Sequence, residues 1–405
     1  MRPLHYYMMG TATWFMAFGI QGVMFAWLVA MELRESPERV GIAQMMLLLP
    51  GTLLILIGGS YADRFGGRRV AVIAQTAAAL APLFLLAVLT TDNLSFSMML
   101  CYALLMGCAQ AFVTPARDAL LNHVAEGRVQ RTVMLTSIVQ FGLQMVGFLV
   151  ASTTDAFGPL IILGSQSVVL LLGVFAFVRI REPARSSHAA PPPLIKSVLD
   201  GGRTVFASPA MRMVMVQNVA MGLFFMGAYI VTMPLLVREV FSGTAQDLAF
   251  MNGANSLGLV LTIFLLLRLG DVRRQGRALL LAQGLGAVVL ASAGFASQFG
   301  QFVLMLFFWG VCGGAAMTMS RTIMQEQAPE EMRGRVMSFY SFSFMGAGPI
   351  GALLSGYLVE QIGPQMSLLV SSASMLVVIV VVGFTSGLWK LQGHTQQILV
   401  QQQDN

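Results

Sequence analysis

Few residues in this 405-residue chain are of a type and spacing that do chemistry, and most of those stand at the ends of apolar runs. The densest group is GGSYADRFGGRRV, residues 58–70. Gly59 and Gly66 permit close packing and a sharp turn between two helices. Asp63, beside Arg64, Arg68 and Arg69, can accept charge-assisted hydrogen bonds or sit against the positive N-terminus of another helix. Such a cluster locks one conformation and breaks in another. The plainer reading is a basic, topology-setting loop with an incidental Asp. A second pair, Arg117 and Asp118, is costly if buried in lipid and suits ion pairing at a helix end.

Carboxylates able to carry a coupled proton are scarce. Glu32, Asp118, Asp155, Glu239 and Glu326 all stand near the ends of apolar runs. Glu32 ranks first for one side of a membrane and Asp118 for the other, with a solvated loop residue as the alternative for Glu32. Polar and aromatic residues recur at helical spacing within the runs. Trp14, Gln21 and Phe25 fall on one face, Gln110 and Arg117 on another, followed by Gln140 and by Asn218, Phe225 and Tyr229. Each polar residue reads equally as a cavity-lining group or as a helix–helix hydrogen bond inside a bundle. No phosphate-cradling Gly-rich loop, Ser–His–Asp set or metal-ligand spacing occurs. The chain is therefore read as no enzyme, with no cofactor, no metal site and no ATP-driven step of its own.

The elements that must hold these residues are membrane spans. Hydrophobic residues make up 56% of the chain and charged ones 10%, against about 25% charged in soluble domains. One spanning helix takes about 20 apolar residues. Runs near 8–31, 40–62, 69–90, 94–116, 130–153 and 159–179 are followed by a break, then by runs near 211–236, 247–268, 277–297, 300–320, 336–358 and 365–389. The expected architecture is all-α, with twelve transmembrane helices in two six-helix pseudo-repeats. Residues 1–180 form one bundle and 211–390 the other. Residues 181–210 form a cytoplasmic linker, broken by Pro191–Pro193 and continuing as a short amphipathic helix. Residues 391–405 form a disordered, Gln-rich tail.

Alternate loops carry 21 of the 24 Lys and Arg residues, the exceptions being Arg34, Arg39 and Arg238. By the positive-inside rule both termini are cytoplasmic. The net charge of +6 thus reports topology and not a nucleic-acid partner. Arg117 and Arg131 recur 204 positions later as Arg321 and Arg335, and Asp63 recurs loosely as Asp271.

The 58–70 loop resembles the signature of the major facilitator superfamily: glycine, three residues, Asp–Arg, x, Gly, x and two basic residues. Gly67 stands where many members carry a further basic residue. AQAFVTPARDALLNHV (109–124), QEQAPEEMRGRVMSF (325–339) and the stretch 191–214 look like the drug-efflux and siderophore-export branch, home of enterobactin exporters and macrolide efflux proteins. That resemblance implies parallel six-helix repeats and alternating access about a midplane site. It implies a monomeric secondary transporter in a bacterial inner membrane, exporting amphipathic or hydrophobic small molecules against protons, with lipids and small molecules as its partners. The alternatives are a lipid flippase or uptake symporter of the same fold, or a non-transporting sensor or scaffold.

Overall fold

The computed structural model describes residues 3–124, 129–180, 194–270, 272–329 and 332–391; the side chains of 56, 63, 122, 129–131, 133, 134 and 194–198 fall outside the description. The expected disorder after 391, most of the linker before 194 and the Asp271 echo lie outside the described residues. Within them every regular element is a helix.

Six long helices come first, with one four-residue helical turn, Thr154–Phe157, before the sixth: α1 (Pro3–Glu32), α2 (Pro37–Phe65), α3 (Gly67–Thr90), α4 (Phe96–Val124), α5 (Val129–Ala151) and α6 (Pro159–Val178). A linker helix, Leu194–Ala207, precedes α7 (Pro209–Glu239), α8 (Ala245–Leu269), α9 (Gln275–Ala293) and α10 (Phe299–Gln327). The last helical stretch, Arg333–Thr385, breaks at Gly363, whose φ of 78° and ψ of 165° are not helical. It divides into α11 (333–362) and α12 (364–385). Ten of these stretches are long and apolar enough to cross a membrane, with Arg333–Thr385 counted once; Leu135–Ala151 in α5 is apolar but shorter.

Local chemistry starts the helices where the sequence changes character. The Ser36 hydroxyl accepts from the Arg39 amide at the head of α2, and the Ser208 hydroxyl accepts from the Met211 amide at the head of α7. Proline follows at the first helical position of both, where its missing N–H costs no hydrogen bond. α1 and α7, first helices of the two expected repeats, both contain π-helical turns: Leu28–Glu32 in α1, and Met221–Met226 and Ala228–Thr232 in α7. The outward surface carries Ile73, Ile138, Leu267, Phe295 and Phe384, each at least 70% exposed. An apolar surface of that kind, on a chain with helices long enough to span a bilayer, suits contact with lipid.

The chain divides into two compact units. The first comprises α1–α6 together with Pro234–Gly253, and the second comprises the linker helix, α7 as far as Met233 and the chain from Ala254 onward. The division crosses the expected 211–390 boundary at 234–253. The physical tie is Arg238, whose Nη1 donates to the Ala30 carbonyl at 2.9 Å and the Glu35 carbonyl at 2.8 Å. Glu35's own amide donates to the Val29 carbonyl inside the π turn, and Ala30's carbonyl accepts from the guanidinium. The Gln246 amide likewise donates to Asp155 at 3.4 Å.

Within the first unit, α1 packs on α5 and α6, and α2 and α3 pack on α4. α1 and α5 meet so closely that a β-carbon on Gly19 would strike the Gln144 carbonyl, and one on Gly147 the Met16 carbonyl. Tyr7, Ala62, Val70, Ala116, Leu120 and Phe177 join in one buried apolar cluster that ties α1, α2, α3, α4 and α6 together.

Buried glutamines report the repeat more sharply than the arginine echoes do. Gln75 on α3 donates to the Leu170 carbonyl and the Thr13 hydroxyl. In the second unit Gln283 on α9 donates to the Met221 sulfur at 3.1 Å. Both the glutamines and their partners on the repeat-leading helices, Thr13 and Met221, stand 208 positions apart. This is the same displacement as Asp63 and Asp271. The linker helix docks on the start of α11, with Arg335 on Asp200 at 3.3 Å and Phe206 against Phe339.

Candidate functional site

The α2–α3 turn is a single residue long. Gly66 has φ 93° and ψ 138°, closing α2 and opening α3 at once. Its amide donates to the Ala62 carbonyl, and its carbonyl accepts from the Val70 amide. A side chain in that region of φ/ψ costs about 1–3 kcal/mol, so the turn selects glycine. Gly67 packs flat on α4: a β-carbon there would lie 2.8 Å from the Ala116 carbonyl oxygen and 3.1 Å from Leu120. This is why the position tolerates no long basic side chain here, unlike the pattern it resembles.

The neighbouring glycines differ from expectation. A β-carbon on Gly59 would sit 3.9 Å from Pro115, an ordinary contact, whereas one on Gly58 would strike the Ala111 carbonyl. Of this pair, it is Gly58 that permits close approach of α2 to α4, as Gly107 does from the α4 side near Leu47, with Gly59 turned to more open space. The side chain of Asp63 lies outside the described residues. Arg64 is exposed, with its guanidinium 5.4 Å from the Phe65 ring centroid. Arg69 and Asp118 are exposed and Arg68 is half-buried.

Of the first-unit residues expected to line a cavity, Trp14, Gln21 and Phe25 are buried, and Gln110 and Gln140 are half-buried. Phe25 stacks on Tyr102 at 5.9 Å, and the Tyr102 hydroxyl accepts from Gln166. Phe25 thus joins a set of core contacts within the bundle. In the second unit Asn218 donates to the Tyr340 carbonyl at 2.9 Å and the Ser343 hydroxyl at 2.7 Å. Its amide is committed to joining α7 and α11. Phe225 and the half-buried Tyr229 both pack on Trp309, at 5.7 and 5.8 Å between ring centroids. Glu32 is exposed at the end of the α1 π turn.

Arg117 is the residue whose environment the sequence left least clear. It is 7% exposed, and its guanidinium lies 4.5 Å from the centroid of the Phe15 ring. Its repeat counterpart Arg321 is exposed. The side chains of Tyr7 and Thr11, both fully buried, belong to the same α1 face as Phe15. Tyr7 lies within electrostatic reach of Arg117. The i, i+4, i+8 spacing of Tyr7, Thr11 and Phe15 was the available signal, but it does not say that α4 packs on that face. The Arg238 contacts left no sequence signal, because both acceptors are backbone carbonyls.

A family described as transmembrane secretion effector matches residues 4–397. The multidrug efflux pump Tap of Mycolicibacterium fortuitum is 25% identical over 392 residues, covering 92% of this chain and 93% of that protein. The enterobactin exporter EntS of Escherichia coli strain ED1a is 24% identical over 362 residues, covering 85% of this chain and 82% of its own length. The crystal structure of the nucleoside transporter NupG superposes with a TM-score of 0.71 at 14% identity, covering 94% of this chain and 98% of that one. The last likeness speaks to the fold alone.

Proposed function

The chain belongs to the transmembrane secretion effector family of the major facilitator superfamily, and on that footing we propose that it exports amphipathic or hydrophobic small molecules, drug-like or siderophore-like, in exchange for protons. It is an integral membrane transporter and not an enzyme. The observation that carries the export reading is the end-to-end match to two kinds of exporter, Tap and EntS, over 92% and 85% of the chain.

Transport proceeds by alternating access, with residues 1–180 and 211–390 rocking about a central path, and both termini in the cytoplasm of a bacterial inner membrane. The latch of this motion is the α2–α3 turn. Gly66 fixes where α2 stops, so Asp63, Arg64, Arg68 and Arg69 are held within one turn of it. Asp118 at the end of α4 is the acidic neighbour from the packed helix. Charge-assisted bonds among these groups hold one conformation and are exchanged in the other. Half-buried Gln110, Gln140 and Tyr229 supply the polar lining, with Trp309 as the aromatic surface beside Tyr229. Glu32 and Asp118 carry the coupled proton.

The test is dye flux in proteoliposomes under an imposed pH gradient. Exporter activity requires gradient-driven movement of a hydrophobic dye. Phospholipid scrambling without dye movement selects the flippase, and dye movement down the proton gradient selects the symporter. Neither movement, with the protein folded, selects a sensor or scaffold.

A further inference from the structure

Arg117, Tyr7 and Thr11 bury three polar groups that meet no carboxylate or carbonyl among the described residues. Arg117 Nη1, the Tyr7 hydroxyl and the Thr11 hydroxyl make no well-formed hydrogen bond among the described residues, the Tyr7 hydroxyl having the Thr11 and Thr136 hydroxyls as polar neighbours. Their residues are 7%, 0% and 0% exposed. A guanidinium offers five donors and accepts nothing. The Phe15 ring face at 4.5 Å compensates a part of its charge but takes no hydrogen bond in the ring plane's place. Asp118 stands within electrostatic reach of Arg117, yet it is exposed, and Nη1 remains without an acceptor. A buried guanidinium with one N–H unmet and two poorly met hydroxyls are each expensive on their own, and here Tyr7 lies within reach of both Arg117 and Thr11.

The second repeat did not build this arrangement. Arg321, the counterpart of Arg117, is exposed. At the 208-position displacement Tyr7 and Thr11 are replaced by Met215 and Val219, and at 204 by Met211 and Met215. No hydroxyl stands at any of these positions. The donor cluster is therefore a property of the first unit and not a general feature of the repeat.

We propose that Tyr7, Thr11 and Arg117 form a binding site for an oxyanion carried on an amphipathic molecule: a carboxylate, phenolate or phosphate. One charged donor and two hydroxyls complement several oxygen lone pairs, and Phe15 gives the site an apolar wall. Arg117 is seven residues from the end of α4, and Tyr7 four from the start of α1 as described. The anion enters when the first turns of α1 part from α4. The occupant is an exported molecule or a phospholipid headgroup; only its identification as cargo rests on the exporter reading.

The experiment uses the full chain in phosphatidylcholine nanodiscs and two radiolabelled probes of equal shape, 2-naphthoate and the neutral 2-naphthamide. The wild type is expected to bind naphthoate about tenfold or more tightly than naphthamide, the scale of a charge-assisted bond. Arg117→Gln abolishes that preference, and Arg117→Lys retains part of it. Tyr7→Phe and Thr11→Val each weaken naphthoate binding about threefold to tenfold and naphthamide binding less. Thermal melting accompanies each variant, so an unfolded protein is not counted as a lost site.

Phosphatidylglycerol added to the nanodiscs separates the sources. Displacement of naphthoate from the wild type identifies the headgroup as an occupant, and its absence identifies a soluble anion. No preference in the wild type, or an unchanged preference in folded Arg117→Gln, overturns the proposal. Dye export by the wild type in proteoliposomes judges the transport reading separately. Preference without export leaves the anion site standing, and export without preference leaves the exporter standing.

Discussion

Two adjacent glycines give opposite expectations for the same small change. Gly58 and Gly59 both lie in α2, and only the second belongs to the sequence signature. In an exposed helix interior, Gly→Ala gains up to about 1 kcal/mol by reducing backbone freedom in the unfolded chain. At Gly59 the new methyl meets Pro115 at 3.9 Å, so Gly59→Ala is expected to be neutral or stabilising by up to about 1 kcal/mol. At Gly58 the methyl strikes the Ala111 carbonyl and lies 3.2 Å from the Phe112 α-carbon. Both are backbone atoms of α4 and cannot swing aside. Overpacking of this kind costs about 1–3 kcal/mol, against which the same gain of up to about 1 kcal/mol is set. The expected separation between the two variants is about 1–3 kcal/mol, roughly a five- to 150-fold difference in folded-to-unfolded ratio. Detergent-induced unfolding followed by the fluorescence of the four tryptophans reads this directly. Equal midpoints, or a larger loss in Gly59→Ala, would show that the α2–α4 packing described here is wrong.

Asp63→Asn should insert and melt like the wild type yet transport far more slowly in the dye-flux assay; wild-type flux would remove Asp63 from the latch. Asn218→Ala should lower stability by about 1 kcal/mol, the scale of an interhelical hydrogen bond in a membrane, while leaving the rank order of substrates unchanged in a drug-sensitivity panel. A changed rank order would make it a substrate contact instead. Arg238→Gln loses the charged bonds to Ala30 and Glu35 and should destabilise by about 1–3 kcal/mol, read by thermal melting; an unchanged melt would show those bonds to be dispensable. Glu32→Gln and Asp118→Asn should each uncouple proton flux from dye export while sparing downhill exchange. Unchanged proton flux in both would remove these carboxylates from the mechanism.

The architecture was legible because lipid imposes length and polarity on every span. Runs read at 69–90 and 159–179 return as Gly67–Thr90 and Pro159–Val178. The break read between 358 and 365 falls at Gly363, followed by Pro364, which helical φ/ψ cannot cross unaltered. The short helix read after the proline triplet is Leu194–Ala207. Side-chain environment was harder to read, because one residue of helix is a rotation of about 100°. Gly58 and Gly59 are indistinguishable as letters, but only Gly58 lies against the α4 backbone. Asn218 reads equally as cavity lining or as a helix–helix hydrogen bond, and the bond's acceptor at Tyr340 stands 122 positions away. Arg117 reads as an ion-pair former at a helix end or as a lining group, and nothing in its spacing places Phe15 of α1 beside its guanidinium.

Inside-out vesicles separate proton-driven export from every other mode of dye movement. Vesicles from an efflux-deficient bacterial strain are loaded with the wild type, with Asp63→Asn, or with no transporter, and energised to make their interior acidic. The account predicts accumulation of a hydrophobic fluorescent dye by wild-type vesicles, collapse of that accumulation when a protonophore is added, and little above background in the other two. Dye movement that is the same in all three preparations, or that persists in the wild type after the gradient is abolished, would contradict it.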